Sequence, residues 1–274
     1  IDPAKKPCQI ANKKGIKNIN GFFNKKISRK ILREYGEVDF VTSHNTLAHV
    51  DDIKSIFENI FFILKKNGFF CFEIGYFKEV IKNNYFDTIY HEHLDYHHAN
   101  PLVKFLKKIG FSVVDISVVN IQGGSLRLLC KKDLKKNISN KVNIFLEKEK
   151  KSILYNKVLI KNWEREIKLL MRDVKDKILK ISVEENIFGY GSPTKIILFL
   201  KLLNLPPEKL KFIFEDNLLK QNKYLPIYGN KILSTKKIFK LKPKYIIVFA
   251  WNFFNEIKKK NKNLSNNFIN VFNF

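Results

Sequence analysis

The strongest constraint on the fold is an alternation that occurs twice: a short apolar run with a polar end, an amphipathic stretch, then another apolar run. In the first half it reads VDFVTSHN (38–45), DDIKSIFENIFFILKKNG (51–68) and FFCFEIG (69–75). This pattern predicts a buried strand over 38–45, a helix capped by Asp51 or Asp52 and stopped by Gly68, and a second buried strand. In the second half it reads NIFGYGSPTKIILFLKLL (186–203), KLKFIFEDN (209–217), PKYIIVFAWNF (243–253) and FINVFNF (268–274). Strand–helix–strand order implies right-handed crossovers and parallel strands, so the predicted class is α/β in both halves.

Between the halves, PLVKFLKKIG (101–110) reads as a short helix with Pro near its start and Gly at its stop. FSVVDISVVN (111–120) and SLRLLCKK (125–132) then read as an antiparallel pair around IQGG. Residues 133–182 are Lys-rich, free of Gly and Pro, and carry Leu and Ile at helical intervals. The expected organisation is therefore one domain over 1–132, a helical connector over 133–182 and a second domain over 183–274.

With 274 residues the chain can bury two cores. Its net charge of +25 invites a nucleic-acid reading. The excess is nearly all Lys, spread along the chain, and Arg, the preferred base reader, is scarce. No nucleic-acid partner is expected, although an anionic small molecule would be attracted. No apolar run approaches the ~20 residues of a membrane span, so no membrane partner is expected. Cys8, Cys71 and Cys130 form no CxxC pair, which suits a reducing cytoplasm. The amino terminus, IDPAKKPCQI, lacks an initiator Met and a signal-peptide core, which predicts a chain cut from something longer.

The densest chemistry lies in YHEHLDYHH (90–98), which holds four of the six histidines. Three readings compete. As a metal site, HEHLD comes within one residue of HExxH, but Asp95 stands where the second His belongs, and no metal is expected. As an acid–base site, a helical turn over 90–93 would project Tyr90 and His93 on one side. An imidazole titrating near ~6.5 can take a proton at neutral pH. A phenol can donate a hydrogen bond to a developing oxyanion, and Glu92 could orient an imidazole. The third reading is a solvated His-rich helix start. His49, just past the predicted strand tip at Asn45, would stand where open α/β sheets bind ligands; His44 reads as structural.

GYGSPTK (189–195) follows a predicted strand and opens a helix, so its free N–H groups and Lys195 suit a phosphate. The Walker A spacing is absent, and a tight strand-to-helix turn is the plainer reading. GGSLR (123–127) reads as a hairpin turn that could aim Arg127 into a cleft, or as a turn with one solvated arginine.

Taken in order, NTLAHVDD (45–52), FEIGY (72–76), FDTIYHEHLDY (86–96), IQGGSLRLL (121–129), GYGSPTK (189–195), EDNLLKQNKYLP (215–226) and VFAWNF (248–253) resemble one family. It is the S-adenosylmethionine-dependent C-methyltransferases of nucleotide-linked deoxysugars. The resemblance implies a partial class I methyltransferase sheet, Rossmann-like, then a helical connector and a second Rossmann-like domain that binds the nucleotide sugar. It implies removal of the C3 proton of a 4-keto-deoxysugar carried on a nucleotide diphosphate, typically dTDP. The enolate then takes a methyl group from S-adenosylmethionine. By resemblance His93 is the general base, Tyr90 stabilises the enolate, Glu92 tunes them, and His49 assists or stands in as base. Asp2 and Asn45 fall at the cofactor. Gly189, Tyr190, Gly191, Ser192 and Lys195, with Arg127, Trp251 and Asn252, fall at the substrate. Gln122 stands where the family commonly has a histidine, which removes or reassigns that group's role.

The family begins with a zinc-bearing, cysteine-rich domain and a glycine-rich cofactor loop. Neither stands in this sequence, so zinc is expected only in such a preceding domain, and this stretch alone is expected to bind S-adenosylmethionine poorly. The alternative is a non-catalytic nucleotide-sugar binding protein derived from the family. Oligomeric state stays open.

Overall fold

The computed structural model describes residues 1–133, 135–181 and 185–272; the parts of the expected segments at 134, 182–184 and 273–274 lie outside them. The chain forms two compact units, Ile1–Glu79 with Glu92–Asn156, and Val80–His91 with Lys157–Phe274.

The first unit opens with helices α1 (Lys5–Lys13) and α2 (Lys25–Tyr35), followed by strand β1 (Val38–His44), helix α3 (Ile53–Ile63) and strand β2 (Leu64–Gly75). Helix α4 (Phe77–Lys82) runs across the boundary between the units. Helix α5 (Ala99–Ile109), strands β3 (Phe111–Val119) and β4 (Ser125–Lys132) and helix α6 (Asn140–Lys150) complete the unit. The sheet order is β1-β2-β4-β3. β1 runs parallel to β2, while β4 runs antiparallel to both β2 and β3. The expected hairpin is present, with β4 inserted beside β2.

Asp52 caps α3 by accepting the Ser55 N–H at 2.9 Å. The helix ends at Ile63, five residues before the expected stop at Gly68. Gly68 instead serves a bulge in β2, where the register jumps from Val38↔Leu64 to Phe40↔Phe69. A Cβ there would lie 2.9 Å from the Lys65 carbonyl oxygen and 3.1 Å from that of Asp39. β1 also departs from expectation. It is a strand, but a half-exposed one, with Phe40 53% accessible, because it pairs only with β2. Its apolar run reflects residues that a one-sided neighbour leaves uncovered.

Phe70, Phe72 and Ile74 of β2 are fully buried. The Phe57 ring of α3 packs 5.5 Å from Phe70 and 5.3 Å from Phe72. Each such burial contributes about 2 kcal/mol. Glu149 of α6 is buried and accepts the Ala99 and Asn100 N–H groups at 2.6 and 2.7 Å, so one helix caps the start of another.

In the second unit, α7 (Lys157–Lys180) buries Ile167, Met171, Val174 and Ile178 along one stripe. Then follow β5 (Ile187–Tyr190), α8 (Ile196–Leu203), β6 (Leu210–Glu215), β7 (Lys231–Ser234), α9 (Ile238–Leu241), β8 (Tyr245–Val248), α10 (Phe254–Lys260) and β9 (Phe268–Asn270). The order β7-β6-β5-β8-β9 with all pairs parallel is a doubly wound sheet. β7 escaped the sequence reading because it offers only Ile232 and Leu233 as buried apolar residues. The helices of 133–182 are divided between the units, α6 with the first and α7 with the second. Among the described residues no helix is long and apolar enough to cross a membrane.

Candidate functional site

In the first unit the segments 47–49 and 92–94 lie side by side. The Leu94 N–H donates to the Ala48 carbonyl at 2.8 Å, and His49 Nδ1 donates to the Glu92 carbonyl at 2.7 Å. These two rungs bring the His49 and His93 rings to 4.9 Å between centroids. A carbonyl oxygen only accepts, so a neutral His49 ring carries its proton on Nδ1 and presents Nε2 as a lone-pair base. His49 is exposed and His93 half-buried, so both stand where a ligand can reach them.

Residues 91 and 92 form a hydrogen-bonded turn that does not continue as a helix. A 3₁₀ turn covers Phe86–Thr88, and the chain from 93 to 98 is irregular, with an isolated bridge between Tyr76 and His97. His91, Leu94 and Tyr96 are left exposed instead of being arrayed on a helix face. The boundary between units falls between His91 and Glu92, so Tyr90 belongs to the second unit and His93 to the first. Among the described residues no group of His, Cys, Asp and Glu is arranged to hold a metal ion. His97 is partly buried, its Nε2 has no hydrogen-bond partner among the described residues, and burial pushes its pKa down.

Glu73 of β2 is 2% accessible. Its Oε1 accepts Arg127 Nε–H at 2.7 Å and also takes Arg127 Nη2, and its Oε2 meets His44 Nδ1 at 3.0 Å. Burial alone would raise this carboxyl; the bonds from Arg127 and His44 outweigh it and hold the pKa below the ordinary range. Arg127 is thus engaged by a neighbouring strand, and His44 has a partner that its sequence context gave no sign of. Asn45 follows with φ +50, its N–H bonded to the Glu73 carbonyl and its Oδ1 3.4 Å from Ser125 Oγ. Asp2 pairs in a parallel bridge with Asn20, and its Oδ1 accepts the Ala4 N–H at 2.7 Å. Asp2 is exposed, and a carboxylate can accept only hydrogen bonds, the chemistry that ribose hydroxyls would need of a partner there.

In the second unit the sheet order reverses between β5 and β8, and the residues after both strands meet there. Gly191 has φ +83, and a Cβ on it would lie 2.5 Å from the Ala250 Cβ. Gly189 faces Phe249 in the same way, at 2.8 Å. The glycines of GYGSPTK are therefore required by the chain's own packing. Ser192 donates through N–H and Oγ to one oxygen of Glu215, at 2.8 and 2.7 Å. Burial raises the Glu215 carboxyl, but those donors and the Asn217 N–H overcome it and the pKa is lowered. Tyr190 donates its hydroxyl to Asp216 at 2.7 Å; burial and that carboxylate push the phenol's pKa up.

Lys195 is enclosed as well. Its ammonium lies 3.0 Å from Asp87, 3.7 Å from the centre of the Trp251 ring and 3.2 Å from Asn252 Oδ1. Burial lowers its pKa against the opposing pull of Asp87. Beside this turn lies a cavity of about 720 Å³, lined by Tyr90, His91, Ser192, Lys201, Lys220 and Lys223 among others. Sequence reasoning missed His91, Lys201, Lys220 and Lys223 at the cavity, Asp87 against Lys195, and Glu73 with Glu215 at the strand ends. A buried acid inside FDTIY was the available signal for Asp87.

Comparison with known proteins adds an independent line. Residues 120–271 match the family model of the C-methyltransferase C-terminal domain, and residues 2–116 match a methyltransferase domain. C-methyltransferase NovU of Streptomyces niveus is 26% identical over 269 residues, covering 97% of this chain and 64% of its own length. The chain thus spans under two thirds of that relative. An S-adenosylmethionine-dependent methyltransferase from Thermotoga maritima is 17% identical, covering 48% of this chain and 71% of its own, with TM-score 0.36. Magnesium protoporphyrin IX methyltransferase from Synechocystis PCC 6803 is 11% identical, covering 46% and 57%, with TM-score 0.32.

Proposed function

The chain belongs to the C-methyltransferase family, whose C-terminal domain its residues 120–271 match, and from that premise we propose that it serves methyl transfer to carbon 3 of a nucleotide-linked 4-keto-deoxysugar. The observation that carries this reading is the His49–His93 pair, with centroids 4.9 Å apart and the His49 Nδ1 proton fixed by the Glu92 carbonyl. Removing a proton beside a ketone needs a base of near-neutral pKa and a donor to the oxygen.

In this reading His93 takes the C3 proton, and the C–H electron pair becomes the C3–C4 double bond of an enolate. The Tyr90 phenol donates a hydrogen bond to the enolate oxygen. His49, held as one tautomer, orients His93 or accepts the proton in its place. Glu92 acts through its backbone carbonyl, which is a different service from the carboxylate role its sequence position suggested. S-adenosylmethionine, when bound, supplies the electrophilic methyl group, and Asp2 and Asn45 are the residues here that would hold it. The nucleotide diphosphate belongs with the second unit, where Ser192, Lys201, Lys220 and Lys223 border one cavity.

The test is to incubate the native protein with S-adenosylmethionine and a dTDP-4-keto-deoxysugar and to weigh the product. A gain of one methyl at carbon 3 supports the reading. Binding of the sugar nucleotide with neither methylation nor C3 exchange would favour a non-catalytic binding protein.

A further inference from the structure

The short segment before Tyr90 is tied down residue by residue within the second unit. Asn84 Oδ1 accepts Trp163 Nε1–H at 2.9 Å, the Tyr85 ring stacks 4.0 Å from Trp251, and Phe86 is buried 5.8 Å from the Phe199 ring. Asp87 is the deepest point, 2% accessible. Its Oδ2 accepts Trp251 Nε1–H at 2.6 Å and meets Lys195 Nζ at 3.0 Å, while its Oδ1 is buried without a hydrogen-bond partner among the described residues. The turn that contains it is closed by Thr88 N–H and Ile89 N–H, each 3.0 Å from the carbonyl three residues back. Two residues after Thr88 comes Tyr90, which lines the cavity.

A buried ion pair is a poor source of stability, because desolvation rivals the attraction. An unpartnered carboxylate oxygen makes this one costlier still. What three converging groups do supply is a single geometry. We propose that Asp87, Lys195 and Trp251 form a clasp that positions Tyr90, so that Lys195 and Trp251 act through the placement of the phenol and not on the phosphates. All three are positioning residues. The role given to the clasp rests on the reading of Tyr90 as the enolate's hydrogen-bond donor; the clasp's hold on Tyr90 does not.

The experiment uses the native protein with 3-fluorotyrosine at position 90, with and without the double substitution Asp87→Asn and Lys195→Met, which removes both charges at near-constant volume. The expected result is a folded variant whose 19F resonance shifts or splits. Its kcat should fall about tenfold, with KM changed less than about threefold. Trp251→Phe, which keeps an aromatic ring but deletes the Nε1 donor, should give a smaller change in the same direction and stands in if the double variant does not fold. An unchanged resonance with native kcat overturns the clasp. So does a raised KM for the nucleotide sugar with kcat and resonance unchanged, which would make Lys195 a substrate contact. Tyr90→Phe separates the two readings: full activity there alongside a shifted resonance in the double variant sinks the phenol's catalytic role and leaves the clasp standing.

Discussion

Glu73 and Glu215 stand near the carboxyl ends of β2 and β6, and both carboxyls are held below their ordinary pKa against the effect of burial. The means differ. Glu73 is held by two side chains, Arg127 and His44, whose outer atoms remain open to solvent. Glu215 is held by the N–H and hydroxyl of Ser192 and the N–H of Asn217, so it consumes the donors of the glycine turn. One unit keeps titratable side chains at its strand ends; the other seals its turn with its own acid. A glycine-rich turn after a strand is therefore not automatically an anion cradle: here its donors already have an anion.

The sharpest way to break this contrast is to fill the turns. Gly191→Ala should cost about 3 kcal/mol, from φ +83 and the 2.5 Å approach to Ala250. Gly75→Ala at the end of β2, with nothing within 4 Å of a new Cβ, should stay within about 0.5 kcal/mol. Urea denaturation compares them, and equal costs would remove the claim that the turn at Gly191 is packed shut and the strand end at Gly75 is open.

A smaller effect separates the acids. Glu73→Gln should cost about 2 kcal/mol, because it leaves a guanidinium and a buried amide mismatched, an outcome moderated by the half-exposed Arg127. Glu215→Gln, whose remaining carbonyl oxygen can still accept from Ser192, should cost about 1 kcal/mol. The reverse order would show that backbone donors, not charged side chains, are the costlier partners here.

Acid should loosen the units in sequence. Burial lowers the pKa of His97 in the first unit, so the unfolded ring binds a proton first. Stability present above ~6.5 is then lost as pH falls toward the lower folded value. In the second unit the lowered carboxyls of Glu215 and Asp216 contribute stability present above ~4, lost only as pH falls through their folded values. Hydrogen exchange by peptide should show residues 94–110 losing protection at a higher pH than 187–216. Simultaneous loss would contradict it.

Much of this was legible in the sequence. Strands β5, β6, β8 and β9 of the second unit, and the β3–β4 hairpin to within one residue, follow from local pattern. What was not legible depends on partners far away in sequence. Gly68 reads as a helix stop because Gly usually is one; only the bulge against β1 reveals its use. The sequence around Lys195 gives no sign of Asp87, 108 positions earlier, which meets its ammonium at 3.0 Å. The turn at 91–92 stops short of a helix, and side-chain spacing cannot report that the Leu94 N–H bonds the Ala48 carbonyl and the Glu92 carbonyl takes the His49 ring.

The central claim is that the paired imidazoles abstract the sugar's C3 proton. It is tested by following deuterium uptake at carbon 3 of a dTDP-4-keto-deoxysugar in D₂O with the native protein, His93→Ala, His49→Ala and the double variant. Uptake should fall about a hundredfold or more in His93→Ala and be lost in the double variant. Uptake at the native rate in the double variant would contradict the account.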